Sequence, residues 1–210
     1  MRSDSVVGTV QAAASGVARP LKRPLQQRSR FTVTAIYDAL VRIWVRDGPS
    51  AVTMRNIAVE SGFAIGTLYE YFPNVDALLS GYIRHVCDGL LSRLDAELRR
   101  TEGAWPDRLR RFVGACCAPD PSGLFDRRLL QLESSLARDD DHARFFAKLE
   151  RRWVTLFDSW DGPKPPPDKI AVLALSVWGS RRYKDLLGKR AELDGWIDQL
   201  CRNCEAALRD

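Results

Sequence analysis

The sequence holds no run of about eighteen consecutive apolar residues, so a membrane-spanning helix of ordinary length is not expected. It also lacks the apolar core of a secretion signal near its start. Val6 to Ala18 is rich in Gly, Ser, Thr and Ala instead. A cytoplasmic protein is expected. Histidine is scarce: His85 and His142 are the only two, and their separation in sequence offers neither a metal site nor a catalytic triad. A nucleotide-binding glycine loop, a paired-histidine motif and a glycine-flanked nucleophile serine are all missing. No enzyme, cofactor or metal is therefore expected. The five cysteines are an odd number, which argues for thiols rather than a disulfide framework. Cys201-x-x-Cys204 has no second pair and no neighbouring strand, so packing accounts for it better than zinc or redox chemistry. Nor is there clean strand alternation between turn signals anywhere along the chain.

What is present is helical spacing and an uneven charge. Of 210 residues, 45% are apolar and 28% charged, and the formal net charge is +5. The excess is local. Arg19, Lys22, Arg23, Arg28 and Arg30 lie between Arg19 and Phe31 with no acid among them. From Met1 to Phe72 there are nine Lys or Arg against five Asp or Glu. A basic arm beside a small domain can attract phosphate, although such a run alone equally suits a solvated tail. Residues 1–24 are low in large apolar residues and carry Gly8, Gly16, Pro20 and Pro24, so they read as a flexible lead-in.

From there the apolar spacing predicts an all-α protein. The first helix is expected over Ser29–Asp47, with Val33, Ile36, Tyr37, Leu40, Ile43 and Trp44 as one stripe. Gly48-Pro49 ends it. Thr53 offers a hydroxyl cap for a short helix over Met54–Ser61, whose inward positions are Ile57 and Ala58, and Gly62 closes that helix. Another short helix is expected over Ala64–Phe72, with Leu68 and Phe72 one turn apart on its inner side. Pro73-Asn74 precedes a long helix over Val75–Arg100. Further helices are expected near Trp105–Ala118, Gly123–Arg138, Asp141–Trp160, Asp168–Leu187 and Glu192–Leu208. Pro119-Asp120-Pro121 and the Pro163–Pro167 run read as turn and connector.

Two short helices joined by a glycine turn, behind a longer apolar helix, make a helix-turn-helix pattern. The second helix of such a pair must keep a small outer face to enter a major groove about 12 Å wide. Gly66, Thr67 and Tyr71 can face out here while Leu68 and Phe72 face in. The pattern alone also suits plain core structure. The residues carry more. Gln27-Arg28-Ser29-Arg30, Thr53-Met54-Arg55-Asn56-Ile57-Ala58, Ser61-Gly62, Gly66-Thr67-Leu68-Tyr69, Tyr71-Phe72-Pro73-Asn74 and Ala77-Leu78-Leu79 together resemble the DNA-binding domain of the tetracycline-repressor (TetR) family. The likeness covers about a quarter of the chain.

The resemblance implies a three-helix DNA-binding domain over 25–74, and a helical effector-binding and dimerisation domain over 75–210. It implies a homodimer on a palindromic operator in double-stranded DNA. By motif position, Thr53 and Arg55 would touch phosphate, and Ala64, Ile65, Gly66 and Thr67 would begin the helix that meets base edges. Tyr69 and Tyr71 would contact phosphate or a thymine methyl, and Arg28 and Arg30 belong to the same DNA-facing motif. The sequence departs from the family's pattern twice. Ala64 brings no capping oxygen, and Val75 stands where a phosphate-binding Lys is usual. Lys22, Arg23 and Arg28 could compensate from the minor groove.

For the larger domain, the resemblance implies a small-molecule pocket among the middle helices. Trp105, Phe112, Cys116, Trp153, Phe157 and Trp178 are the candidate lining, with His85 as a polar contact, although aromatic stripes at helical spacing commonly serve as core. The last two helices are the expected dimer surface. Ile170 to Trp178 is apolar nearly all round, and Leu193, Trp196, Ile197, Leu200, Cys204 and Leu208 form a stripe. The function expected is a ligand-released regulator, a repressor by family habit. The alternative is a DNA-bound architectural protein that recruits a protein partner and takes no small molecule.

Overall fold

In the computed structural model, the described residues are 27–118, 139–183 and 192–209. They form eight α-helices and one short 3-10 turn, with no strand among them. The helices are α1 (Gln27–Asp47), α2 (Met54–Ser61), α3 (Ile65–Tyr71), α4 (Val75–Leu98), α5 (Trp105–Cys117), α6 (Asp139–Asp158), α7 (Pro167–Tyr183) and α8 (Leu193–Arg209). The all-α expectation is met, and the expected helix bounds agree with these within a few residues. The lead-in at 1–24, the Pro119–Pro121 turn, the helix expected over Gly123–Arg138 and the end of the helix expected to reach Leu187 lie outside the described residues. None of the described helices is long and apolar enough to cross a membrane.

Local chemistry sets the ends. α1 stops where Gly48 takes φ 86, a left-handed conformation that suits glycine. Pro49 then opens the 3-10 turn Pro49–Ala51. The Thr53 side chain accepts a hydrogen bond from the Asn56 amide at 3.1 Å, so α2 starts on a capped turn. Gly62, at φ 75, ends it. Asn74 caps α4 in the same way, accepting from the Ala77 amide at 2.8 Å.

Two separate hydrophobic cores result. The first joins α1, α2, α3 and the opening turns of α4, through Ile36, Leu40, Ile43, Ile57, Leu68, Phe72, Leu78, Tyr82 and Val86. The second joins the rest of α4 to α5, α6, α7 and α8, through Leu90, Leu94, Phe112, Trp153, Phe157, Val177 and Leu200. The long helix thus enters both. Arg152 on α6 fastens it to the second core. Its Nη2 donates to Asp95 at 2.7 Å and its Nε to the Leu91 carbonyl at 3.2 Å. α5 packs on α8, with an Arg110–Asp198 ion pair across the contact. Lys169 near the start of α7 donates to the Ala207 carbonyl on α8 at 2.8 Å.

The four thiols Cys116, Cys117, Cys201 and Cys204 are buried in the second core, where α5 meets α8. Desolvation pushes Cys204 from an ordinary 9.0 up to about 12, and it raises Cys116 and Cys201 as well. They act as small apolar groups, as the sequence suggested for Cys201 and Cys204.

Two outcomes follow. Thr53→Ala should destabilise the protein by about 1 kcal/mol, read from urea unfolding, because the α2 cap is lost. The thiols ionise more easily unfolded than folded, so their contribution is intact below pH 9.0 and is lost as pH climbs towards about 12. The urea midpoint should fall across that window, and Cys204→Ala should fall less steeply than the wild type.

Candidate nucleic-acid interface and effector core

The helix-turn-helix is α2, the Gly62 turn and α3, braced from behind by α1. Ile57 and Leu68 are fully buried and Phe72 nearly so, which fixes which side of each short helix faces inward. Arg42 on α1 donates to Glu60 on α2 at 2.7 Å, and Arg46 reaches the same carboxylate at 3.1 Å. The Arg42 hydrogen bond, then that of Arg46, holds Glu60 below the usual carboxylate range. These pairs lie at the surface and position α2 more than they stabilise it. Nδ2 of Asn56 donates to the Ala51 carbonyl at 2.8 Å and ties α2 to the 3-10 turn before it.

The opposite side of α3 points outward. Ile65 is 44% exposed and Tyr69 46%. Ala64, Gly66 and Glu70 are exposed beside them, and Thr67 and Tyr71 are half-buried. A Cβ added at Gly66 would meet nothing within 4 Å, and its φ is not positive. Neither packing nor backbone conformation of this chain therefore demands glycine there. Its smallness leaves room for something outside the molecule. At the start of α2, Thr53 and Arg55 are both exposed. The Thr53 oxygen accepts from Asn56, which leaves the hydroxyl proton to donate outward.

Arg30 is exposed on the first turn of α1, and the Arg28 side chain lies outside the described residues. Ala64 begins α3 without a side-chain cap, as its identity requires. Val75 is half-buried against the first core, so it packs rather than reaching outward.

Of the candidate effector-lining residues, six share the second core. Phe112 meets Trp153 edge-on at 5.1 Å, Trp153 lies 5.9 Å from Phe157, and Phe157 lies 5.6 Å from Trp105. Trp178 packs on Phe145 at 4.8 Å, and Cys116 is buried in the same cluster. His85 is not with them. It is exposed on α4, with its ring 5.1 Å from that of Tyr37 in the first core.

Sequence reasoning passed over two features. The Glu60 brace joins residues eighteen positions apart, and helical periodicity carries no signal for such a pair. Arg93 was also missed, although its place three residues after Leu90, on the side of α4 that is otherwise apolar, was a usable sign. Among the described residues its Nε and Nη2 are buried without a hydrogen-bond partner, as are the indole nitrogens of Trp105 and Trp153.

A family model described as bacterial regulatory proteins of the tetR family matches residues 36–81, which span most of α1, the helix pair and the start of α4. An HTH-type transcriptional regulator of Haemophilus influenzae is 31% identical over 78 residues, covering 37% of this chain and 42% of that protein. The HTH-type transcriptional repressor KstR of Mycobacterium tuberculosis is 41% identical over 83 residues, covering 38% of this chain and 36% of KstR. The chain thus spans about two fifths of the length of the curated relatives it matches. A solved TetR-family regulator from Haemophilus influenzae superposes with a TM-score of 0.56 over 84% of this chain and 98% of its own, at 18% identity. That last likeness is one of fold, and it extends beyond the helix-turn-helix into the larger helical domain. The helix-turn-helix segment of this chain is thus similar to tetR-family bacterial regulatory proteins, and the larger helical domain shares their fold.

Proposed function

We propose that this protein is a DNA-binding transcriptional regulator, a repressor in the simplest case, that sits on a palindromic operator as a homodimer and is released by a small-molecule effector. The observation that carries the reading is the outer edge of α3. Ile65, Gly66 and Tyr69 are presented to solvent on a short helix whose other side is anchored by Leu68 and Phe72. The resemblance of this segment to TetR-family domains supports the same reading.

In this reading Thr53 and Arg55 hold phosphate and set the register of α3 in the major groove. Ala64, Ile65, Gly66 and Thr67 approach base edges. Tyr69 and Tyr71 offer a hydroxyl or a ring face to phosphate or a thymine methyl. Arg28, Arg30 and the basic residues of the preceding arm add charge near the minor groove. α3 carries no Arg, Lys, Asn or Gln, so the usual bidentate readers of guanine and adenine are not on it. Sequence choice would then lean on thymine methyls, hydroxyl contacts and DNA shape.

Homodimerisation is supported by α7. Ile170, Leu173, Ala174, Val177 and Trp178 are buried in this chain, while Val172 is 61% and Leu175 49% exposed, one helical turn apart. Apolar side chains at that spacing form a face a second copy can cover. The stripe expected on the last helix is used differently: Ile197, Leu200 and Cys204 are buried within this chain, where α8 packs on α5. The same exposed pair on α7 is also what the alternative reading requires, a DNA-bound protein that recruits a protein partner and takes no small molecule.

With a duplex selected from a random pool, Arg55→Ala should weaken binding at all sequences and reduce the slope of log affinity against log salt by about one, measured by fluorescence anisotropy. Deleting the residues before Gln26 should lower that slope further, and an unchanged slope would remove the arm from the interface. Leu175→Asp should convert a dimer to monomers in sedimentation equilibrium. A wild-type chain already monomeric at micromolar concentration would defeat the dimer and favour the partner-recruiting alternative.

A further inference from the structure

The second core contains a buried guanidinium edge with nothing to bind. Arg93 lies on α4 between Leu90 and Leu94, both completely buried. Its Nε and Nη2 are shielded from solvent and have no hydrogen-bond partner among the described residues. A buried guanidinium edge without acceptors carries a desolvation cost that nothing within the described residues offsets. Arg152 shows how the fold treats a guanidinium used as a structural tie. All three of its nitrogens are engaged, with Leu91, Lys148 and Asp95 as acceptors. Arg93, two residues along α4 from Leu91, has no such set among the described residues.

The identity of the two orphaned atoms is informative. Nε–H and the neighbouring Nη2–H run parallel along one side of the guanidinium. That side offers two donors at the spacing of the two oxygens of a carboxylate. The charges of Arg181 on α7 and of Arg93 both act on the Cys116 thiol on α5, each opposing the upward push of its burial. The Arg181 guanidinium carbon stands 5.0 Å from the ring centre of Trp178. Positive charge therefore gathers from two helices around an apolar thiol and an aromatic ring. The other buried side-chain polar atoms without a hydrogen-bond partner among the described residues are the indole nitrogens of Trp105, Trp153, Trp160 and Trp196 and Nε of Arg111, which stands 3.6 Å from the Glu97 carboxylate. Every one is a donor. The interior of this domain is short of acceptors.

We propose that Arg93 anchors an anion site inside the effector domain, which takes the carboxylate of an otherwise apolar small molecule through the Nε–Nη2 edge of its guanidinium. The aromatic set of Phe112, Phe145, Trp153 and Trp178 supplies the apolar surroundings for the rest of that molecule. A single negative charge neutralises the buried cation, and the oxygens of the acid supply the acceptors that the core lacks. The inference rests on reading residues 75–210 as an effector domain.

The test uses the full-length protein with dodecanoate and phenylbutanoate as probes, set against the matched alcohols and dodecyl phosphate. Binding is read by tryptophan fluorescence and by thermal unfolding. The acids should bind at least about tenfold more tightly than the alcohols, and Arg93→Met should erase that preference. Without any acid present, Arg93→Met should unfold at the same or a higher temperature than the wild type, because an unpaired buried charge has gone. Arg93→Lys, which keeps the charge but not the two-donor edge, should bind the acids less tightly than the wild type.

Equal binding of acids and alcohols, or no binding of the acids, overturns the site. So does an acid preference that survives in Arg93→Met, or a lower melting temperature for that variant without acid. Tighter binding of dodecyl phosphate than of dodecanoate overturns the carboxylate assignment. Failure of the broader reading looks different: the acids would bind as expected at Arg93 while affinity for the selected duplex stayed the same. Release of that duplex by an uncharged molecule would keep the effector reading and remove the Arg93 site.

Discussion

The arrangement depends on one helix being claimed by two cores. α4 buries Leu78, Leu79, Tyr82, Ile83 and Val86 against the helix-turn-helix, and Leu90, Leu91 and Leu94 against the larger domain. At about 1.5 Å per residue its 24 residues span about 36 Å. Neither half can rotate or slide without disturbing close-packed side chains in its own core, and such cores resist gradual deformation. The changeover falls at Cys87–Gly89, where Asp88 is exposed and its two neighbours are half-buried. A displacement of the second half of α4 is therefore passed to the first half as movement of a rod. The first half carries Tyr82, whose ring lies 5.6 Å from Tyr37, and Tyr37 in turn lies 5.7 Å from Phe72 at the end of α3. Side-chain packing thus runs from the first half of α4 to the end of α3, and the α4 backbone carries it on to the large domain. Two recognition helices in a dimer must stand about 34–36 Å apart to enter successive major grooves, so a small tilt of this rod is enough to spoil the fit.

The same constraint explains the plain chemistry of α3. A helix seven residues long cannot supply much affinity through its own side chains. Affinity must come from cations and hydroxyls around it that meet phosphate. Under the proposed function Arg55 and Thr53, both exposed at the start of α2, fill that role. The exposed Gly66 lets backbone come close, and closeness substitutes for long polar side chains. Such an interface is sensitive to the exact placement of α3. Under the proposed function it would therefore respond to movement of α4 in a way that a set of long flexible arginines would not.

Much of this was legible in the sequence because short-range chemistry dictates it. Thr53, Gly62, Gly48-Pro49 and Asn74 each mark a helix boundary through their own side chain or backbone preference, and the structure turns at each of them. The inward positions Ile57, Leu68 and Phe72 followed from helical spacing. Long-range choices were not legible. Periodicity showed that Ile197, Leu200 and Cys204 share a face, but that face could equally have met a second copy or α5, and it meets α5. Periodicity likewise put His85 on the helix that leads to the aromatic cluster, yet the residue falls on the Tyr37 side of the changeover in α4. Arg93 escaped notice because a charged residue in a long helix ordinarily reaches solvent, and only three-dimensional packing shows that its edge does not.

The two cores differ in how completely their polar groups are satisfied, and that difference follows from what each must do. Around the first core, the caps at Thr53 and Asn74, the Asn56 link and the Glu60 brace all close on partners within the chain. Every buried side-chain donor without a hydrogen-bond partner among the described residues lies in or beside the second. Buried polar atoms without partners reduce stability, so a domain that only had to support the helix-turn-helix would gain by replacing them with apolar groups of similar shape. Retaining a guanidinium and several indoles there is consistent with an interior that is completed by something it binds. That interior is reached by the second half of α4, whose first half sets the position of α3. The incomplete core and the outer edge of α3 are thus joined by one helix, and under the proposed function occupancy of the first would be passed along α4 to the second.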